Sequence, residues 1–377
     1  MPKNIVVCCD GTANEFTADN TNVLKLYYTL EQDPQQQVTY YHPGLGTMEP
    51  SGALTPPARK LTKLLGMAVG YGLSDDISRA YSFLMEEYCE GDKLFLFGFS
   101  RGAYTVRAVC SLLHMYGLIR SLNESLVPYA IRMMLAINRA RPGKSKDDDA
   151  IRQYFDLANS FKNTMSRTIC SPWFVGVWDT VSSIGWIANP LKLPFVTNNP
   201  DIQTGRHAIS IDEHRAFFRN HLWRPSESPG TASGPKDLKQ VWFAGVHCDV
   251  GGGYPEQESA LSKIPLEWMI QEAKASGLKT NSLRQAEVLG RSEESKYVTP
   301  DANGMAHESL SGFWNAAEFI PKHQYDWATG RTSYHMNLYK RRTIPPNSLV
   351  HDSVFARSGN YAARVPKDAI PVSTRSL

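Results

Sequence analysis

The sequence predicts an α/β fold in which a mostly parallel sheet is flanked by helices, with helical and loop insertions. Three observations carry that expectation: short buried-strand runs alternating with amphipathic helical stretches, a composition of 42% hydrophobic and 20% charged residues, and a strand that ends in a glycine-flanked serine. Strands alternating with helices call for parallel pairing, because each crossover helix returns the chain to the same end of the sheet. At 377 residues the chain can bury the core of one large α/β domain, and a single domain over 1–377 is the expected organisation.

Apolar, β-branched or aromatic runs mark buried strands at 4–9 (NIVVCC), 37–41 (QVTYY), 93–99 (KLFLFGF), 173–178 (WFVGVW) and 239–246 (KQVWFAGV). Between them, 74–90 places Ile77, Ala80, Tyr81, Leu84 and Tyr88 on one helical face, and Gly91 stops that helix. In 265–277, Pro265 suits a first helical position ahead of a stripe of Leu266, Met269, Ile270 and Ala273. Residues 114–168 read as a helical insertion broken by the charged run RPGKSKDDD at 141–149, a solvated loop. Residues 184–206 are apolar and aperiodic, suiting either a packed crossover or a lid, with Trp186 and Phe195 as candidate acyl contacts. The stretch 279–345 is polar and rich in turns.

The chemistry concentrates at LFLFGFSRGAY, residues 94–104. Gly98 and Gly102 flank Ser100 at a spacing that permits a tight strand-to-helix turn, which lifts the serine hydroxyl clear of its strand. A strand pattern before it and a helical pattern after it (Tyr104, Ala108, Ser111, Leu112) supply the setting that a nucleophile elbow needs, whereas a structural serine would merely cap the helix. The helix start and the N–H of Arg101 suit an oxyanion. A serine nucleophile needs a base and an orienting acid. Asp179 follows one strand and His247 another, giving the chain order Ser100, Asp179, His247. His207, His214 and His351 are rival bases, and Asp249, Asp212 and Glu213 are weaker acids; HAISIDEHRAFF, around the last two, reads equally well as a helix.

The first strand ends in CCDGTANEF. An Asp-x-Asp-Gly-Thr phosphotransferase motif would need an aspartate where Cys8 stands, so that reading lacks its nucleophile. Alternatively, Gly11 and Thr12 turn N–H groups toward the cleft as the second half of an oxyanion hole while Asp10 braces the turn, or the Asp-Gly pair is only a turn.

Other classes recede. A net charge of +3 spread along the chain gives no footprint for nucleic acid or a polybasic membrane anchor. The six cysteines show no zinc-ribbon spacing and read as reduced core residues, and no HExxH or comparable ligand spacing implies a metal or other cofactor. Neither glycine cluster, at 66–72 or 250–254, fits a nucleotide fingerprint. The N-terminal run is too short for a signal peptide, and no run suffices to span a bilayer. The expected location is the cytoplasm as synthesised, with any export independent of a cleaved signal.

Taken together, VVCCDGTAN, GLGT, the 70–109 segment through the elbow, GVWDTVSSIG, HAISIDEHR and FAGVHCDVGGGY resemble the catalytic domain of the first class of type VI secretion lipase effectors, an α/β-hydrolase family. The resemblance spans roughly residues 3–275 and extends to 350–366. It implies a serine phospholipase of A type or a related esterase, with Ser100, Asp179 and His247 at the triad positions. The implied partners are a lipid or small ester, peripheral membrane contact, and an immunity or delivery protein if the chain is a secreted effector. An esterase on other small esters, or a catalytically idle interaction module on the same fold, are the alternatives.

Overall fold

Along β1 (Asn4–Cys9) successive side chains enter opposite layers: Ile5, Val7 and Cys9 join one apolar cluster, while Val6 and Cys8 join the other. A strand buried on both faces belongs to the interior of a parallel sheet covered by helices on each side. The computed structural model describes residues 2–11, 20–44, 71–137, 145–181, 185–186, 189–190, 193–224, 234–310, 314–315, 318–326 and 331–374. Within them the other strands of the main sheet are β2 (Gln37–His42), β3 (Lys93–Phe99), β4 (Pro172–Trp178), β5 (Thr204–Ser210), β6 (Asp237–Phe243), β7 (Leu349–His351) and β8 (Ile370–Val372).

These eight strands run in the spatial order β2-β1-β3-β4-β5-β6-β7-β8, and every neighbouring pair is parallel. From β1 the chain first builds outward to β2, then crosses back to β3 and continues the other way. That reversal leaves a crevice beyond the carboxyl ends of β1 and β3, the usual place for a site in an open α/β sheet. The fold is therefore α/β-hydrolase-like: a large parallel sheet between helical layers.

One layer is built by α2 (Tyr71–Glu87), α3 (Arg101–Tyr116) and α4 (Val127–Ala136), with α5 (Ser145–Met165) against α3. The other holds α1 (Asn22–Thr29), α7 (Ala260–Ala275) and α8 (Ser282–Val288), with the short α6 (His247–Gly251) against α7. Phe95, Phe97, Phe174 and Trp178 form a fully buried aromatic ladder under the second layer. Each such side chain contributes about 2 kcal/mol by leaving water.

Several elements differ from their sequence expectation. The stretch around HAIS is not a helix: it is β5, wholly inside the sheet. Buried Arg206 hides the strand from a search for apolar runs, and it is tolerated because Glu272 (2.5 Å) and Asp237 (2.6 Å) neutralise it. The helix expected to open at Pro265 begins at Ala260, with the proline inside it. The last strand expected to reach residue 246 ends at Phe243, because Gly245 takes φ +99 and swings the chain into α6. Within 114–168 the described residues form the end of α3, a 3-10 turn at Glu124–Leu126, α4, α5 and a two-strand pair of Leu118–Ile119 with Ser166–Thr168. The charged run expected as a loop to residue 149 is helical from Ser145, where α5 begins.

The Arg206 account carries a test. Arg206→Ala takes from Glu272, whose side chain is 1% exposed, its buried cation, the Lys239 partner at 3.0 Å being more exposed, and is expected to cost about 3 kcal/mol in urea unfolding. Arg206→Met paired with Glu272→Leu is expected to recover most of it. Equal losses in the single and double variants would contradict the neutralisation argument.

Candidate active site

Ser100 joins β3 to α3 at φ 57, ψ −117, a conformation that an L-residue holds only under constraint. Both sides of that constraint are visible. A Cβ on Gly98 would lie 2.5 Å from the Gly102 carbonyl oxygen, and one on Gly102 would lie 2.2 Å from that of Cys9. Glycine at both positions lets the chain fold back at the elbow while α3 starts against the end of β1. The Ser100 N–H donates to the Trp178 carbonyl at 3.1 Å, and its hydroxyl makes no capping bond to α3.

One residue past Trp178, Asp179 leaves β4 at φ 38, fully buried, with its N–H on the Ala208 carbonyl at 2.7 Å. Its Oδ2 meets His247 Nδ1 at 2.5 Å. Its Oδ1 accepts from the Ser210 N–H (2.9 Å) and hydroxyl (3.1 Å), and Arg342 grips both oxygens at 2.5 and 3.0 Å. Burial opposes ionisation here, but the Arg342 charge and the His247 bond outweigh it and hold the carboxyl well below the usual carboxylate range.

His247 opens α6, just beyond β6. Its ring lies 4.6 Å from that of Phe99 and 4.9 Å, edge on, from that of Phe218. Phe99 immediately precedes Ser100, so this contact brings the imidazole to the end of the strand that bears the serine. Gly251 keeps α6 close: a Cβ there would fall 1.9 Å from the Phe99 ring. The backbone N–H of His247 points to Glu213 Oε2 at 3.3 Å, and that carboxylate is also gripped by Arg215. Burial lowers the imidazole pKa and the bond to Asp179 only partly offsets it, so the ring is held neutral around pH 7.

The rivals are engaged elsewhere. His207 Nε2 accepts from the Thr180 N–H (3.1 Å), His214 pairs with Glu308 (2.8 Å), and His351 bonds Ser353 and Thr374. Asp249 accepts from the Val246 N–H and binds His307 (2.6 Å); Asp212 receives the Gly245 N–H, Tyr361, Arg341 and Arg364.

At the end of β1, Asp10 braces its turn by accepting from Thr21 (2.5 Å), Tyr41 (2.9 Å) and the Gly11 N–H (2.7 Å). The Gly11 donor is thus committed to Asp10 and not offered to an oxyanion as the sequence suggested, because the aspartate side chain folds back over its own turn. Thr12 lies outside the described residues. Arg101 begins α3, placing its backbone at the positive end of that helix.

The 184–206 segment divides. Strand pairing of Gly185–Trp186 with Asn189–Pro190 is described, but the Trp186 side chain lies outside the described residues. From Leu193 the segment is a packed crossover: buried Arg107 donates to the Val196 carbonyl, Ser111 to Pro194, and Asn199 to Cys110. Phe195 rests 4.2 Å from the ring of His114, at the far end of α3 and about 20 Å along it from the elbow. It therefore packs on the far end of α3 and not beside Ser100. Sequence reasoning missed Arg342 and the Phe99 and Phe218 walls; arginines are common in this chain, and nothing local marks one that acts across the fold.

A parallel sheet with a strained serine elbow and a buried Asp–His pair at its carboxyl edge defines the class, an α/β-hydrolase-like protein. The family follows from comparison: the model of the T6SS phospholipase effector Tle1-like catalytic domain matches residues 3–272, and the chain belongs to that family. It is similar to an uncharacterized protein of Saccharomyces cerevisiae, 33% identical over 231 residues, which cover 59% of this chain and 33% of that protein. The chain spans about a third of the length of that curated relative. A crystal structure of an uncharacterized protein from Pseudomonas aeruginosa matches at 18% identity and a TM-score of 0.44, covering 79% of this chain and 49% of that one.

The buried imidazoles set a pH dependence. Burial lowers His207, also opposed by Arg107, to about 3 and His351 to about 4, in the same direction as His247. A depressed histidine contributes stability above its unfolded pKa, about 6.5, which is lost as pH falls toward the folded value. Asp179, also depressed, contributes in full above its unfolded pKa, about 4, and loses that contribution progressively as pH falls from there toward its folded value. Urea unfolding in steps from pH 7 to 4.5 is therefore expected to show a loss of about 2–3 kcal/mol from His207 alone, and His207→Gln a shallower slope. A flat profile over that interval would contradict this assignment.

Proposed function

We propose that the chain is a serine ester hydrolase acting on lipid, with phospholipase A-type cleavage as its principal activity. The observation that carries the reading is the buried 2.5 Å Asp179–His247 contact, set against the ring of the residue preceding the Ser100 elbow. Membership in a phospholipase effector family supports the substrate class.

In this reading the neutral His247 takes the Ser100 proton at Nε2 as the Ser100 oxygen attacks the ester carbonyl. Asp179 stays ionised, accepting the hydrogen bond from His247 Nδ1–H, and stabilises the imidazolium as it forms. The oxyanion is held by the Arg101 N–H at the start of α3. His247 then returns the proton to the departing alcohol, leaving an acyl-serine. Water activated by the same imidazole releases the fatty acid. The low pKa of the imidazole suits a base that must be unprotonated near neutral pH. Peripheral contact with a lipid surface brings the substrate, and the family points to transport by a type VI secretion machine and to a cognate immunity protein.

Ser100→Ala is expected to lower turnover of a defined phospholipid by about a millionfold, to the limit of detection, and Asp179→Asn by about ten-thousandfold. Fluorophosphonate is expected to add its mass at Ser100 in the wild type and not in Ser100→Ala. No adduct on folded wild-type protein would leave the idle-module alternative, and turnover of short esters without phospholipid would remove the lipid assignment.

A further inference from the structure

We propose that Arg342 is a positioning residue of the hydrolytic centre, contributed by a segment beyond the family-matched region, that fixes Asp179 and sets the basicity of His247 through it. The inference rests on the reading of Asp179 and His247 as acid and base. It adds a part of the site that lies outside residues 3–272.

Arg342 is buried, with its side chain 1% exposed. One face of its guanidinium fork takes both oxygens of Asp179; Nη1 also donates to the Ser210 hydroxyl (2.7 Å) and carbonyl (3.2 Å). The other face, through Nε and Nη2, donates to the Phe218 carbonyl. Phe218 is the residue whose ring stands edge-on to His247. One side chain thus fixes the carboxylate that holds the imidazole and the wall beside it. A bidentate fork of this kind suits arginine, whose planar donors match a carboxylate, and not lysine.

The segment bearing Arg342 is itself anchored. Fully buried Glu318 accepts from the Ala216 N–H (2.5 Å), the Tyr339 N–H (3.0 Å) and the Asn337 amide, while Asn337 also donates to the His214 carbonyl (2.8 Å). Arg219 donates to the Lys340 carbonyl at 2.7 Å. These bonds tie 318 and 337–342 to the 214–219 loop beside His247, so the arginine is delivered to the acid by a braced strap. A structure needed only to neutralise one buried charge would not require the same cation to hold the aromatic wall.

The imidazole is faced by Asp179 from the end of β4 and by Glu213 and Arg215 from the loop after β5; on its own element, Asp249 is engaged by the Val246 N–H and His307. Of these, Asp179 is the partner whose charge Arg342 offsets directly. Removing the arginine unmasks that negative charge and favours the imidazolium, so the midpoint moves upward.

The deciding experiment is an NMR titration of the His247 imidazole in wild type, Arg342→Gln and Arg342→Lys, assigned by loss of the signal in His247→Gln, with pH profiles of kcat and KM alongside. The expected result for Arg342→Gln is a His247 midpoint raised by about one unit and a kcat lowered at least about tenfold, with KM changed less than about twofold. Arg342→Lys keeps the charge but not the fork, so its midpoint is expected to stay at the wild-type value while kcat falls at least about fivefold. Should Arg342→Gln not fold, the lysine variant decides: wild-type kcat in it overturns the proposal. An unmoved midpoint in folded Arg342→Gln overturns it as well. The titration needs no turnover, so failure of wild type to react with fluorophosphonate would count against the hydrolase reading, whereas an unmoved midpoint counts against Arg342.

Discussion

A carboxylate with no access to water must be compensated from several directions at once, and Asp179 imposes that requirement on the whole carboxyl edge of the sheet. An ionised group so placed would be expelled or protonated unless opposite charge and donors surround it. Here they come from separate parts of the chain: Ser210 at the end of β5, His247 after β6, and Arg342 far beyond. The strand order is what makes this feasible. β4 and β5 are neighbours in parallel register, so the residues leaving them point into one space, and β6 delivers α6 from the next position along.

The same edge stores backbone strain. Ser100 and Asp179 both sit at positive φ, on adjacent strand ends joined by the Ser100 N–H bond to Trp178. Such conformations persist only where the surroundings over-determine them. At Ser100 the surroundings are the Gly98–Gly102 approach and the end of β1; at Asp179 they are the bond to Ala208 and the arginine fork. Burial keeps the His247 imidazole neutral, whereas Asp179 stays charged against its own burial because the Arg342 charge and the His247 bond hold it so.

What was legible in the sequence was what depends on neighbours along the chain. Four of the five expected strands lie within a residue or two of their observed ends, and the fifth shares its body, because a buried parallel strand must be apolar on both faces. The elbow was legible because its glycines are needed at fixed offsets from the serine. β5 was not, since Arg206 and His207 interrupt its apolar pattern, the first accommodated through Glu272 and Asp237 and the second through the Thr180 N–H, all partners from outside the strand. Pro265 misled for a related reason: tertiary packing extends α7 through it, and Asn22 takes the Ser262 carbonyl one turn earlier. Phe195 looked like a lipid contact by composition, but an aromatic on a crossover is as easily packed on a neighbouring helix, and His114 and Phe155 receive it.

Arg342 was illegible for the deepest reason, which bears on where the functional unit ends. It is one of 40 lysines and arginines, and its partner Asp179 lies 163 positions away, so no window of sequence contains the interaction. The family match stops at residue 272, yet β7 and β8 extend the same sheet from 349 to 372. Between the match and those strands runs the strap that carries the arginine. A polar, turn-rich stretch of that kind reads as surface loop, and much of it is. Its purpose within the fold is nonetheless fixed by one buried cation, since a strap that only covered the sheet edge would have no cause to send a guanidinium to the acid beside His247. The site is therefore assembled from both ends of the described chain, with β1 bringing Asp10 to one side of the elbow and the strap bringing Arg342 to the other.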